Sequence, residues 1–229
     1  MKINKLHGFD LTFAEAKGIQ SRLAEQLIIE SGPEISDIRT VAGCDCAFDR
    51  RRNLAFGALV VFRFPTMEKT EIITGHREIR FPYVPGYLSF RELEVLLSLF
   101  EKLETPPDLV LADGQGIAHP RRIGLASHLG LFLGIPTIGC AKSRLVGTSA
   151  EPGIEKGEWT PLMDKGEIIG SLTRTRRAVR PMFISPGHLV GIEKSRKLAL
   201  ACTSKFRLPE PPRIADIEVA KFKKEVLDA

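Results

Sequence analysis

Three carboxylates in this chain stand where an acid is either costly or well placed to act: Asp45, Glu92 and Asp113. Asp45 lies in VAGCDCAFD, a run that reads as a β-strand. Side chains alternate along a strand, so Cys44, Cys46 and Phe48 share one face and Asp45 takes the other with Gly43 and Ala47. A carboxylate among such small apolar residues is expensive to bury alone. A metal ion is one solution and a hydrogen bond from a neighbouring loop is the other. Asp113 ends the apolar run Leu109–Ala112 and is followed by Gly-Gln-Gly. Ligands of open α/β sheets bind beyond the carboxyl ends of strands, and glycines admit close approach, although Asp-Gly is also a common turn. With no third glycine, this run does not make a dinucleotide fingerprint. Glu92 falls in Ser89-Phe90-Arg91-Glu92, which reads first as a capping box opening an apolar helix; the same position can aim an acid at a metal. Brought together, three hard oxygen donors with few His or Cys select Mg²⁺, with Mn²⁺ as substitute. Such ions activate water and stabilise the leaving oxygen in phosphodiester cleavage.

Three further side chains could serve such a centre. His119 precedes Pro120, a favourable residue at a helix start, and is a candidate phosphate contact or proton carrier; the plainer alternative is a polar residue at a turn. Lys142 follows an apolar run in CAKSRL, where an ammonium just past a strand end can stabilise charge on a transferring phosphate. A surface lysine fits the same spacing. Tyr83 lies in FPYVPG, stiffened by two prolines. There it could wedge between bases or be a buried turn aromatic.

The elements that must position these residues follow from periodicity. Residues 12–30 carry Phe13, Ala16, Ile19, Leu23 and Leu27 at helical spacing and end at Gly32-Pro33. Extended runs at 39–48, 56–64 and 70–80, separated by polar turns, predict an antiparallel meander. Then come a loop at 81–86, an amphipathic helix at 89–103, a short strand at 108–112, a helix at 120–133 and a strand at 136–140. Residues 151–165 read as a turn-rich surface excursion, 167–174 and 181–184 as edge strands, and 191–202 and 214–227 as closing helices. A meander followed by alternating α and β predicts an α/β fold, a mixed sheet with helices on both faces. No repeat divides the chain, so residues 1–229 read as a single domain.

Composition excludes several classes. With 43% hydrophobic and 27% charged residues, the chain is globular rather than disordered. Its net charge is +5, but residues 171–213 alone hold ten Lys or Arg against Glu193 and Glu210. A basic stripe beside a slightly acidic remainder suits a polyanion held by one face, or simply a solvated basic surface. The four cysteines show no metal-ligand spacing and read as reduced thiols of a cytoplasmic protein. MKINKLHGFD has no apolar leader region, and no apolar run is long enough to span a membrane.

Six ordered segments resemble the endonuclease V family: VAGCDCAFD, FPYVPGYLSFRE, LADGQGIAHPRRIGLASHLG, IPTIGCAKSRL, SLTRTRRAVRPMFISPGH and RLPEPPRIAD. The resemblance implies a ribonuclease H-like fold and a Mg²⁺-dependent endonuclease that recognises deoxyinosine in DNA. It would hydrolyse the second phosphodiester bond 3′ to the lesion, and some members act on inosine in RNA. It further implies that Asp45, Glu92 and Asp113 form the metal site, joined by Asp216, and that His119 and Lys142 support phosphate binding. Tyr83, Val84 and Pro85 would be the strand-separating wedge. Gly86, Leu88, Gly114 and Gly116 would line a base pocket. Cys44 and Cys46 replace the β-branched residues usual around the first acid. The protein is expected to act as a monomer. Two other readings compete: a different ribonuclease H-like nuclease, such as a junction resolvase, and a module that senses inosine without cutting.

Overall fold

The structure is a computed structural model that describes residues 1–30 and 32–228. Its frame is one eight-stranded mixed sheet in the order β3-β2-β1-β4-β5-β8-β7-β6. The strands are β1 (Thr40–Asp49), β2 (Leu54–Arg63), β3 (Glu68–Glu78), β4 (Leu109–Ala112), β5 (Thr137–Ala141), β6 (Trp159–Asp164), β7 (Glu167–Thr173) and β8 (Met182–His188). β1, β2 and β3 form the antiparallel meander that the polar turns predict, and β4 then pairs parallel with both β1 and β5.

Helices cover both faces, as the alternation of strands and helices predicts. On one face α2 (Leu88–Phe100) and α3 (Leu125–Leu133) pack Leu93, Leu96, Leu99, Leu129 and Phe132 against Ala42, Cys44, Leu59 and Val110. On the other, α4 (Ile192–Ala201) and α5 (Glu210–Asp228) pack Leu198, Ala199 and Ala215 against Val41, Leu109, Leu111, Cys140 and Ile184. The alternation of 41 against 42 and of 110 against 111 is the two-residue period of a sheet buried on both sides. α1 (Phe13–Ala24) leans on α3, capped by a Thr12–Glu15 box.

Five elements differ from the sequence expectation. α1 stops at Ala24 rather than continuing to residue 30. Beyond it Leu27 and Ile29 alternate onto a small core with Ile117, Leu162 and Ile169, a two-residue period that a helix cannot supply. α3 begins at Leu125, not Pro120. Arg122 has φ +59°, and a Cβ on Gly124 would stand 2.4 Å from the Gln115 carbonyl oxygen, so the chain must cross another loop before it can coil. The turn-rich stretch 151–165 contains β6, paired antiparallel with β7. And β7 and β8 are interior strands; the edges are β3 and β6.

Candidate active site

Parity along neighbouring strands assembles the charged end of the sheet. β1 and β4 run parallel with Cys44 opposite Ala112, so the next residues, Asp45 and Asp113, stand side by side. Both continue the rows Val41–Gly43 and Leu109–Leu111, on the α5 face. β5 adds a third step: Ile138 and Cys140 belong to the same face, and Lys142 follows them just past the strand end. Lys142 Nζ lies 2.5 Å from Asp113 Oδ2 and 3.9 Å from Asp216 Oδ2. Asp216 arrives on α5, which can come this close because β1 carries a glycine beneath it. A Cβ on Gly43 would meet the Pro211 carbonyl carbon at 2.0 Å.

Glu92 comes from the opposite layer, on the first turns of α2. The capping box does not form: the residue before the helix is Tyr87, no side chain caps it, and Ser89 instead shares a hydrogen bond with His128 Nδ1 at 3.0 Å. Glu92 is 7% exposed and has no hydrogen bond or ion pair among the described residues. A buried carboxylate without a partner is held at high cost, and its surroundings explain the direction of its proton affinity. Burial raises it well above the usual carboxylate range, and Asp45 and then Asp113 raise it further. Burial, then Asp113, pushes Asp45 up to about 7, against a backbone hydrogen bond from Cys46 that works the other way. Asp113 is raised too, first by burial, with Lys142 opposing. For Lys142 burial works downward, but the contact with Asp113 outweighs it and the net shift is upward.

Acids that raise one another's proton affinity are a site short of positive charge. Oxygen donors from Asp45, Glu92, Asp113 and Asp216 fit a hard divalent cation by type. As the side chains stand, no three His, Cys, Asp or Glu among the described residues converge closely enough to enclose one. Lys142 pairs with two of these acids, Asp113 and Asp216.

Beside the acids lies a cavity of about 130 Å³ lined by Tyr83, Gly86, Leu88, Ser89, Gln115 and His119 among others. It is far smaller than the roughly 300–1,000 Å³ of sites for drug-sized ligands, which suits one flat ring system. Two elements serve both places: α2 gives Leu88 to the cavity and Glu92 to the acids, and the loop after β4 gives Asp113 to the acids and Gln115 to the cavity. Tyr83 is 60% exposed at the tip of its loop, which rules out the buried-aromatic alternative. Phe81 and Tyr87 anchor the two ends of that loop by packing with Phe13 and Phe90, while Val84 and Pro85 line the cavity with Tyr83.

His119 is not among the acids. Its Nδ1 accepts from the Arg121 backbone N–H at 3.2 Å, so its Nε2 carries the proton and donates to the Gly86 carbonyl at 3.0 Å. Burial, then the Arg121 charge, pushes its pKa down to about 4, so the ring is neutral. Gly114 and Gly116, unlike His119, are not among the residues that line the cavity. A Cβ on Gly116 would stand 2.0 Å from the Pro186 carbonyl oxygen, so this glycine serves packing between loop and β8. Sequence reasoning missed Gln115, which sits between them. Its Nε2 donates to the Ser143 carbonyl at 2.9 Å and its Oε1 is buried without a partner. It also missed Gly124, Leu125 and Leu145 in the lining; a polar side chain between two glycines was the one signal available.

The charged stretch 171–213 divides on the structure. Arg174 is buried and ties Glu151 and the carbonyls of Pro152, Gly153 and Val179 together, a structural duty. Arg176, Arg177 and Arg180 are at least partly exposed. Arg207 donates to the Lys142 and Pro181 carbonyls, beside the acids.

Comparison with known proteins identifies the family and the fold. The Endonuclease V family matches residues 21–217. A protein of Trichormus variabilis named Endonuclease V is 45% identical over 216 residues, covering 94% of this chain and 97% of that one. The crystal structure of Endonuclease V from Streptomyces avermitilis superposes with a TM-score of 0.90 at 38% identity, over 96% of each chain. Endonuclease V of Ciona intestinalis, in complex with a 24mer DNA containing an inosine followed by a ribo-adenosine, superposes with a TM-score of 0.83 at 30% identity. That match covers 93% of this chain and 98% of the other. The fold is the ribonuclease H-like one that the resemblance implies. No helix among the described residues is long and apolar enough to cross a membrane.

Proposed function

The chain belongs to the endonuclease V family of nucleases, and from that premise we propose that it is a repair endonuclease for deaminated adenine. It recognises deoxyinosine in DNA and hydrolyses the second phosphodiester bond on its 3′ side, with inosine in RNA as a further substrate. The observation that carries the reading is the adjacency of two unlike sites on shared elements, a ring-sized cavity and a carboxylate cluster with Lys142.

Asp45, Glu92 and Asp113, with Asp216, would hold Mg²⁺, for which Mn²⁺ can substitute. When bound, the ion supplies an activated water and neutralises charge on the cleaved phosphate. Lys142 already lies within 4 Å of two of these acids; once they are neutralised, its ammonium is free to face phosphate oxygens. Tyr83 stands at the tip of a stiff loop, where it can enter the stack as the base leaves. Inosine pairs weakly, so its extraction costs less than that of an ordinary base, which is itself a source of selectivity. The protein acts as a cytoplasmic monomer in this reading.

The test is cleavage of an end-labelled duplex carrying one deoxyinosine, with Mg²⁺ and with EDTA, beside the same duplex carrying adenosine and an RNA strand carrying inosine. A Mg²⁺-dependent nick one nucleotide beyond the inosine is expected. Cutting of a branched junction but not of inosine would transfer the chain to the resolvase reading. Inosine binding with no cleavage under any divalent ion would leave a sensing module.

A further inference from the structure

α1 lies outside the charged cluster and the cavity, yet it sends one polar side chain to the cavity lip. Its buried stripe is Ala16, Gln20 and Leu23, and Gln20 is 0% exposed. An amide in an apolar stripe is unfavourable unless fully bonded. Gln20 Nε2 donates to the Gly86 carbonyl at 2.9 Å, and Gln20 Oε1 accepts from Arg121 Nε at 2.5 Å. Arg121 Nη2 donates to the same Gly86 oxygen at 2.8 Å, and His119 Nε2 donates to it at 3.0 Å. The Arg121 guanidinium lies 4.4 Å above the Tyr87 ring, the next residue of the loop. One carbonyl therefore receives three donors, and those donors are bonded to one another. A carbonyl oxygen has two lone pairs, so this one is saturated from inside the protein. Gly86 itself sits at φ +80°, a conformation that other residues would hold only under strain.

We infer that Gln20, Arg121 and His119 form a positioning clamp that fixes the Gly86 peptide at the cavity lip, and that the clamp sets how sharply a deaminated base is told from an ordinary one. This rests on the function proposed above. Hydrogen-bond recognition demands that the reading groups be held within about 0.5 Å, and the lip belongs to an irregular loop with no strand or helix to hold it. Phe81 and Tyr87 fix its two ends by apolar packing, which tolerates small shifts. The clamp supplies the directional restraint between them. Contacts to the strand backbone elsewhere do not depend on it. Loss of the clamp therefore lowers selectivity rather than general affinity.

The test uses Gln20→Leu, which keeps volume and removes both bonds, and Gln20→Glu, which keeps the acceptor for Arg121 and loses the donor to Gly86. Arg121→Lys serves should Gln20→Leu fail to fold, because a lysine cannot reach both partners. Affinity for a fluorescent strand carrying one deoxyinosine, and for the same strand with deoxyadenosine, is read by anisotropy in EDTA, beside cleavage rate and thermal midpoint. The expected result for Gln20→Leu is a tenfold or greater fall in the ratio of the two affinities, with adenosine-strand binding within twofold of wild type. Gln20→Glu should fall between the two. An unchanged ratio in a folded variant, or equal loss on both strands, overturns the clamp while leaving the function standing. A wild-type protein that shows no preference for inosine overturns both.

Discussion

Asp45, Asp113 and Lys142 on one side, and Gly86 with Gln115 on the other, are close neighbours built by opposite means. The first group is placed by strand register: β1, β4 and β5 lie edge to edge, β4 and β5 each deliver one charged residue just past their ends, and β1 delivers Asp45 where its pairing with β4 stops. Its members are in electrostatic conflict, since the acids raise one another's proton affinity and Lys142 offsets them in part. The second group is placed by side-chain hydrogen bonds between segments remote in the chain, such as Gln20 with Gly86 and Gln115 with Ser143. The Gln115 oxygen apart, the side-chain groups that hold this second site are hydrogen-bonded to one another or to backbone carbonyls. Regular structure can position groups that repel, because the backbone ladder bears the strain. An irregular loop can be positioned only by groups that attract. The acid end should then be separable into a catalytic gain and a stability loss, and the cavity end into selectivity with little effect on either.

The largest expected effect is on cleavage. Asp113→Asn or Asp45→Asn should lower the single-turnover rate on an inosine duplex by roughly 10²–10³-fold or more, the scale seen when one electrostatic stabiliser is removed. Binding of the inosine strand should stay within about threefold. If binding and cleavage fell together, the two regions would not be separable and the comparison would break.

The same substitution should stabilise the metal-free protein. Asp45 titrates at about 7 when folded, above its ordinary value of 3.8. Between those values the folded state binds more protons than the unfolded one, so the contribution of Asp45 to stability falls as pH rises from about 4 to about 7. Above that it is fully unfavourable. Asp45→Asn should therefore raise the thermal midpoint at pH 8, by roughly 2–4 °C per kcal/mol relieved. The gain should shrink as pH falls through 7 towards 4 and narrow when Mg²⁺ is added. A lower midpoint at pH 8 would show that the acids are not in conflict.

Tyr83→Ala should act on the loop alone. Cleavage of a duplex should fall about tenfold, equivalent to about 1.4 kcal/mol, while an unpaired strand, which needs no wedge, should change less than threefold. Equal losses on both substrates would make Tyr83 a part of the cavity wall rather than a wedge.

These contrasts also explain what the sequence could reveal. Asp45 and Asp113 were legible because a strand has a fixed two-residue period, so parity and strand ends can be read residue by residue. The meander and the two buried strands were legible for the same reason. Glu92 was read first as a cap, because Ser-x-x-Glu before an apolar run fits that motif; only the tertiary placement of α2 shows that the helix starts at Leu88 and that Ser89 belongs to His128. His119 was legible as important but not for its use. Its two ring nitrogens are occupied by Arg121 and Gly86, the latter 33 residues away in the chain, a distance over which no local pattern operates. Gln20, which was not singled out in the sequence at all, lies 66 residues from the Gly86 carbonyl that it bonds. The late start of α3 was hidden because the strain at Arg122 and the contact at Gly124 depend on another loop. The ordered motifs of the family assigned Glu92 to the acid site, but they did not give the contacts of His119 and Gln20 or the start of α3.

The smallest effect concerns Gln115, and it decides whether the cavity reads a base with a side chain as well as with its backbone. Its Oε1 is a buried acceptor without a donor, and leaving such a group unpaired costs about 1–3 kcal/mol. Hypoxanthine carries a hydrogen on N1, where adenine carries a lone pair, so an unpaired acceptor in the lining favours the deaminated base and repels the ordinary one. Gln115→Leu removes the acceptor and the Ser143 contact together. It should leave the thermal midpoint unchanged or raised, and lower inosine preference about three- to tenfold. Gln115→Glu keeps an acceptor while losing the donor to Ser143, and so separates the two duties. If glutamate preserves the preference and leucine loses it, the oxygen reads the base. If both lose it alike, Gln115 acts through Ser143, the residue next to Lys142, and the side chain belongs to the acid end of the comparison rather than to the cavity.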